Sequence, residues 1–371
     1  TTWSEGAREM DRSTFADARV VADIHEHFVP IRVDADERPD IADRYELGRI
    51  PTTAFLTPSG HVLGGGTFVD PERLRAALRV VAPAMARAGQ PSISERSAPS
   101  GHKPTAGPVD NVQLESVVFA SVDEQHGGFG GAPKFPHVAA IRLALLLHAD
   151  RGEDWLLEAA TRALDAIGWG ELFDADAGGF CRCCAAANWT VPQRDVLLGV
   201  NAPLLALYLD AAEQTSIERY FARAGDVARF IDTRLRRHDG AWRVSADVQA
   251  SRVFTDGNAQ AASALLHAAR VFGDAALGAR AIEGLEHVLL ASYKPGHGVG
   301  HYAAGPRGLL TDHVAMMGTT LDAWDETGNI VYRMMAEELG HFVIRTMWDP
   351  RDGGFFDRAA SLYKHEPPGG A

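Results

Sequence analysis

The chain has little cysteine. Three stand in 371 residues, all inside Cys181-Arg182-Cys183-Cys184. That number excludes a disulfide scaffold and points to a reducing, cytoplasmic compartment. No apolar run approaches the roughly 20 residues that a membrane helix needs. Basic residues are outnumbered: 36 Lys and Arg face 49 Asp and Glu, for a net charge of −13. The deficit excludes the basic face of a nucleic-acid or anionic-membrane binder. Nucleotide motifs are missing too. Gly64-Gly65-Gly66 follows a predicted strand, but neither a P-loop lysine nor dinucleotide spacing accompanies it. What remains is 46% apolar and 23% charged, ordinary for a globular protein with a sizeable core. The length suits two domains.

Composition shifts near residue 89. Residues 89–108 are small, polar and rich in Pro and Gly, which reads as a linker between domains at 1–88 and 109–371. In the first domain, the spacing predicts a helix over 12–26 and a strand over 28–33. A short helix at 40–47 and strands at 53–57 and 61–63 come next, then a helix opened by Pro71. The order α-β-α-β-β-α is that of a thioredoxin-like α/β fold with its first strand missing. A sheet without that inner strand leaves backbone groups unpaired, and Thr1 is not a usual start. Residues upstream of Thr1 are therefore expected.

After the linker the pattern turns helical and repetitive. One turn type recurs as Gly127-Gly128-Phe129, Gly178-Gly179-Phe180, Asp239-Gly240-Ala241-Trp242, Gly298-Val299-Gly300-His301-Tyr302 and Gly353-Gly354-Phe355. Amphipathic helices lie between, with a second turn type at Gln214, Gly273 and Gly328. The period of about 50–60 residues holds one helical hairpin per repeat, a solenoid or ring signature. Four hairpins and a leading helix near 109–121 fall short of a closed six-hairpin toroid. The all-α second domain is therefore predicted to be an incomplete α/α toroid. Its open flank implies a homo-oligomer or a partner chain.

Several stretches together are specific. They include Phe28-Val-Pro-Ile-Arg-Val-Asp-Ala-Asp-Glu-Arg-Pro-Asp40, Ile50-Pro-Thr-Thr-Ala-Phe-Leu-Thr-Pro-Ser-Gly60, Gly127-Gly-Phe-Gly-Gly-Ala-Pro-Lys-Phe-Pro136 and Val253-Phe-Thr-Asp-Gly-Asn258. With these the chain resembles the thioredoxin-domain-containing, spermatogenesis-associated protein family. The resemblance implies a thioredoxin-like domain joined to a toroid like those of N-acylglucosamine 2-epimerases and six-hairpin glycosidases. It also puts Ile50-Pro51 at the fold's cis-proline. The family's Cys-His-Trp-Cys motif would place its cysteines at Ser4 and Ala7, where neither side chain can exchange disulfides. The first domain is thus expected to be redox-inactive. A family His, Glu and Lys correspond here to Gln193, Asp195 and Val196, which removes groups suited to proton transfer.

In such toroids, ligands enter the funnel at one end of the inner helices. The substrate-binding candidates are Lys134, Phe135, Trp189, Arg194, Asn201, Asn258, Tyr302 and Asp312. Asp195 and Asp256 are candidate paired carboxylates and His313 the candidate proton-transfer histidine. Helix capping competes for Asp256 and Asp312, core packing for Trp189, and a satisfied buried histidine for His313. Cys181, Cys183 and Cys184 are weak metal candidates, since adjacent cysteines chelate one ion poorly. No cofactor is expected. The leading expectation is a toroid protein that binds a small polar or sugar-like molecule. Whether it is an enzyme stays open; if so, it is an isomerase or hydrolase rather than a disulfide oxidoreductase. The alternatives are a non-catalytic interaction protein and a thiol oxidoreductase acting through the cysteine cluster.

Overall fold

The computed structural model describes residues 1–87, 111–246 and 252–359. The linker expected at 89–108 lies outside them. The chain divides into two compact units, Thr1–Val109 and Asp110–Ala371.

In the first unit α1 (Glu5–Arg12), α2 (Ala18–His27) and α3 (Pro39–Tyr45) precede an antiparallel pair. The pair is β1 (Thr53–Leu56) and β2 (Val62–Gly66), and α4 (Pro71–Arg87) follows it. The helix expected over 12–26 begins only at Ala18, and a separate helix, α1, precedes it. Asp17 starts α2 by accepting from the N–H groups of Arg19 and Val20, the usual work of an N-cap. The strand expected over 28–33 is not formed. Val29 and Ile31 are 87% and 80% exposed. A strand exists only through a neighbour that takes its N–H and C=O groups, and none pairs with 28–33 among the described residues. The observed order is therefore α-α-α-β-β-α. A small core of Val20, Leu74 and Leu78 holds the unit, backed by Ile24, Phe28, Phe55 and Val69. The Ile50–Pro51 peptide is cis.

The second unit opens with α5 (Asn111–Phe119). Four helical hairpins follow, as the repeat predicts. They pair α6 (Val138–Arg151) with α7 (Asp154–Trp169), and α8 (Leu198–Thr215) with α9 (Glu218–Phe230). The last two pair α10 (Thr255–Phe272) with α11 (Ala275–Ser292), and α12 (Leu310–Thr327) with α13 (Ile330–Met347). A π-helical turn, Ile231–Leu235, ends α9. The helices α6, α8, α10 and α12 pack side by side in chain order. Helix α10 shows why. Ala259, Ala261, Ala262, Leu265, Leu266, Ala268 and Ala269 are all buried, so its apolar surface is broad enough for neighbours on both flanks. Helix α9, on the outer side, buries the narrower stripe Tyr220, Ala224, Val227 and Ala228. No comparable packing joins α12 back to α6 among the described residues.

Short antiparallel ladders form the turns between hairpins. These are β3 (Phe173–Asp174) with β4 (Gly179–Phe180), β5 (Cys183–Cys184) with β6 (Pro192–Gln193), and β7 (Tyr293–Lys294) with β8 (Gly298–Val299). Each turn is stitched to the preceding inner helix. The first N–H of α8, Leu198, donates to Val244 O. Thr255 of α10 donates to His301 O and Leu310 of α12 to Asp357 O, all at 2.8 Å. These bonds satisfy orphan donors at the helix starts. They also fix the backbone at 244, 301 and 357 beside the N-terminal ends of the inner helices.

Candidate functional site

A repeated clamp explains three of the candidates. Asn201, Asn258 and His313 are each the fourth residue of an inner helix. The Asn201 Oδ1 accepts from Phe180 N–H at 2.7 Å, and its Nδ2 donates to Phe180 O and Leu197 O, both at 2.9 Å. Asn258 does the same with Trp242 and Phe254. In the next repeat, His313 Nε2 accepts from Val299 N–H at 3.2 Å and Nδ1 donates to Leu309 O at 2.7 Å. A backbone donor on Nε2 requires the proton on Nδ1. The imidazole is neutral, fully buried, and titrates below the ordinary histidine range because burial disfavours its charge. Both nitrogens are spent on backbone. A Cβ on Gly298, where φ is +67°, would collide with His313 Nε2. The structure thus seats His313, like Asn201 and Asn258, as a turn clamp rather than a proton donor.

The titratable group lies beside that clamp. His301, in the turn after β8, has Nδ1 at 2.9 and 3.2 Å from the two carboxylate oxygens of Asp312 on α12. Asp312 is fully buried and His301 is 2% exposed. One polar atom each of Asp256, His301 and Asp312 lies within 4.8 Å of the other two, and Asp256 is half-buried. Burial pushes the Asp312 carboxyl up to about 6. His301 opposes that rise, and the neighbouring Asp256 charge adds to it. Neither aspartate caps its helix: Phe254 and Leu309 hold the N-cap positions, with no side-chain cap bond. Phe254 lies 5.0 Å from the His301 ring, and Tyr302 meets Phe254 edge-on at 5.9 Å. The group is therefore an acid–base pair with a second carboxylate and two rings at its rim. The spacing would also suit a divalent cation. His301 Nδ1, however, is committed to Asp312, the arrangement of a pair that shares a proton.

Sequence reasoning missed His301. It occupies the stitching position, where the other repeats carry Val244 and Asp357. Aligning the turns marks it as the one histidine there. Of the other candidates, Asp256, Asp312 and Tyr302 gather at this place. Asp195 is not in the group of three.

Lys134 and Trp189 serve the first turn. The Lys134 side chain is fully buried, with Nζ 2.6 Å from Asp123 and 2.8 Å from Gly130 O. Trp189 is 2% exposed and donates to His126 O and Gly127 O. The Lys134 ammonium and the Trp189 N–H are thus both committed within the turn. Phe135 is half-buried, with the Arg182 guanidinium 5.6 Å from its ring. Arg194 is exposed and bonds Asp174 at 3.1 Å. Cys181, Cys183 and Cys184 are buried free thiols. Burial, with Asp174 nearby, pushes Cys181 up to about 11, and burial pushes Cys184 up to about 12. Thiols held protonated are poor nucleophiles, which counts against an oxidoreductase. Among the described residues none of them joins a metal-ligating group.

Fold and site define the class: among the described residues, an arc of helical hairpins with a buried Asp–His pair at the inner-helix ends. No helix among the described residues is long and apolar enough to cross a membrane. Residues 1–88 match the family described as "Thioredox_DsbH: Protein of unknown function, DUF255". Spermatogenesis-associated protein 20 of Homo sapiens is 25% identical over 275 residues, 64% of this chain and 34% of that protein. The Uncharacterized protein B0495.5 of Caenorhabditis elegans is 27% identical over 229 residues, 54% and 31% of the two. The chain is thus similar in sequence to the spermatogenesis-associated proteins, as its motifs imply. It spans about a third of the length of the curated relatives it matches. Among solved structures, the chain is similar to D-mannose isomerase at 11% identity and a TM-score of 0.47, over 68% of this chain and 91% of that one. It is also similar to the unsaturated glucuronyl hydrolase of Bacillus sp. GL1, at 16% and 0.48, over 61% and 67%.

Proposed function

We propose that the N-terminal ends of α10 and α12 bind a small polar, sugar-like molecule, and that Asp256, His301 and Asp312 move its protons. The observation that carries this reading is the fully buried Asp312, bonded to His301 and carrying a carboxyl pushed up to about 6. A group that releases its proton near neutrality suits general acid–base work. Isomerisation needs a proton taken beside a carbonyl and returned to the adjacent atom, and the His301–Asp312 pair can exchange one proton. Hydrolysis needs an acid and a base, and Asp256 supplies the second carboxylate. Phe254 and Tyr302 offer ring faces of the kind that take the apolar side of a sugar. The first unit, with Ser4 and Ala7 where redox cysteines would stand, serves as a structural or docking module in this reading.

Incubation with a panel of aldoses, ketoses and disaccharides in D2O, followed by proton NMR, tests it. Isomerase action exchanges hydrogen beside the carbonyl, and hydrolase action releases a monosaccharide. Turnover should fall about 10²–10⁴-fold in His301→Gln and Asp312→Asn. Full turnover in both variants, or neither turnover nor binding of any sugar by the native chain, would contradict the proposal.

A second reading, assembly through the open flank, is favoured by the last hairpin. Val314, Leu321, Met334 and Ile344 are 42–61% exposed there, and no further hairpin covers α12 among the described residues. Sedimentation over a concentration series distinguishes a self-associating chain from a monomer.

A further inference from the structure

One carboxylate of the acid–base group stands without a counter-charge. Asp256 lies on the first turn of α10 and is half-buried. Other half-buried aspartates of the second unit are paired: Asp123 with Lys134, Asp232 with Arg280 and Asp239 with Arg237. Among the described residues the Asp256 side chain makes no hydrogen bond or ion pair. What faces it is His301 and a second carboxyl, the fully buried Asp312. His301 is bonded to Asp312, not to Asp256. The starts of α10 and α12 each carry about half an elementary positive charge, less than two carboxylates together.

Aromatic rings border the same place. Phe254, two residues before Asp256, lies 5.0 Å from the His301 ring and meets Tyr302 edge-on at 5.9 Å. The face of such a ring attracts a cation. Tyr302 shows this within the chain, since the Arg252 guanidinium lies over its ring at 4.6 Å. An unpaired carboxylate beside aromatic rings suits an organic ammonium. The carboxylate accepts its N–H bonds, and a ring face meets its charge. A ligand hydroxyl gains less from the same carboxylate, because a bond with both partners charged is stronger than one with a neutral donor. A ligand carboxylate is repelled.

We infer that this site selects sugar-like molecules that carry a protonated amine, with Asp256 as the residue that sets the preference. The inference rests on the reading above, in which the starts of α10 and α12 bind a sugar-like molecule, and adds the charge of that molecule. With Asp256 holding the ammonium, proton transfer falls to the His301–Asp312 pair.

Isothermal titration of the full chain tests it, at about pH 6.5, where sugar amines are protonated. EDTA is included to keep metal ions from the carboxylates. The ligands are glucosamine, 6-amino-6-deoxyglucose, glucose, N-acetylglucosamine and glucuronate. At least one amino sugar should bind about tenfold or more tightly than glucose. N-acetylglucosamine, whose nitrogen is uncharged, should show no such gain, and glucuronate should bind more weakly than glucose. Asp256→Asn keeps the shape and removes the charge, and should bring the amino sugar to the level of glucose. Asp256→Glu should keep part of the preference. Circular dichroism melts check that both variants fold, and the preference of the native chain is read without either. Glucose bound as tightly as both amino sugars, or a preference unchanged in Asp256→Asn, would overturn the inference and leave the acid–base reading in place. Absence of binding by every sugar would overturn both.

Discussion

Two carboxyl groups in the second unit, half-buried Asp123 and fully buried Asp312, behave in opposite ways. Asp123 meets the Lys134 ammonium at 2.6 Å and the His126 N–H at 2.9 Å. Burial pulls its carboxyl up, but these partners prevail and hold it down at about 2. Asp312 meets an imidazole and sits near another carboxylate, and burial prevails, lifting it to about 6. Both places are walled by the same kind of Gly-rich turn. The first is balanced, one cation to one anion, with Trp189 covering it. Among the described residues, the groups acting on the second are His301 and Asp256, neither a permanent cation. A desolvated charge that is fully paired contributes to structure; one that is not holds its proton into the working pH range. That difference, rather than the identity of the residues, separates framework from candidate chemistry.

The comparison can be broken most readily at Lys134. Lys134→Ala leaves the Asp123 carboxylate facing Trp189 without its cation, and should destabilise the second unit by about 3 kcal/mol, as breaking a buried pair does. Equilibrium denaturation in urea measures it; a loss under about 1 kcal/mol would mean that the pair is not structural.

A smaller effect sharpens the contrast through pH. The Asp312 carboxyl keeps its proton to about 6 when folded, against an ordinary value of 3.8. Between those values the folded chain binds a proton that the unfolded chain has released. Asp312 therefore makes stability fall as pH rises from about 4 to about 6, by about 2–3 kcal/mol. Asp123 acts oppositely. Its folded value lies below 3.8, so its contribution is present above about 4 and is lost as pH falls toward 2. Asp312→Asn should flatten the pH 4–6 slope and leave the acid limb intact. An unchanged slope would assign the proton elsewhere.

The smallest expected change separates two neighbouring histidines. His313→Asn installs the residue that two other repeats use at the clamp, and should alter stability by less than about 1.5 kcal/mol, the scale of one net hydrogen bond. Turnover, if the acid–base reading holds, should persist. His301→Asn removes the partner of Asp312 and should abolish turnover. Equal losses from both substitutions would place His313 in the chemistry after all.

The four hairpins were legible because their signals are local. Apolar faces recur at helical spacing and Gly-rich turns punctuate them. The strand over 28–33 was misread because its composition is strand-like while pairing depends on residues far away. Lys134 looked like a ligand-binding cation because nothing in the sequence shows that Asp123, eleven residues earlier, would neutralise it. Asp312 was legible as a polar residue at a helix start. Its partner was not, since His301 lies in a turn eleven residues upstream, held at the start of α10 by the bonds from Thr255 to Gly300 O and His301 O. Comparing one turn with the next would have found it. The clamp was hidden for a related reason: the two asparagines and the histidine look unrelated until their shared place, fourth in each inner helix, is seen.

The account depends on a carboxyl that stays protonated because it is buried without a permanent counter-charge. Carbon-13 NMR of labelled aspartate, with the Asp312 signal assigned through Asp312→Asn, reads that property directly. A midpoint near 6 is predicted. A midpoint below about 4, the range of an exposed or fully paired aspartate, would contradict the account.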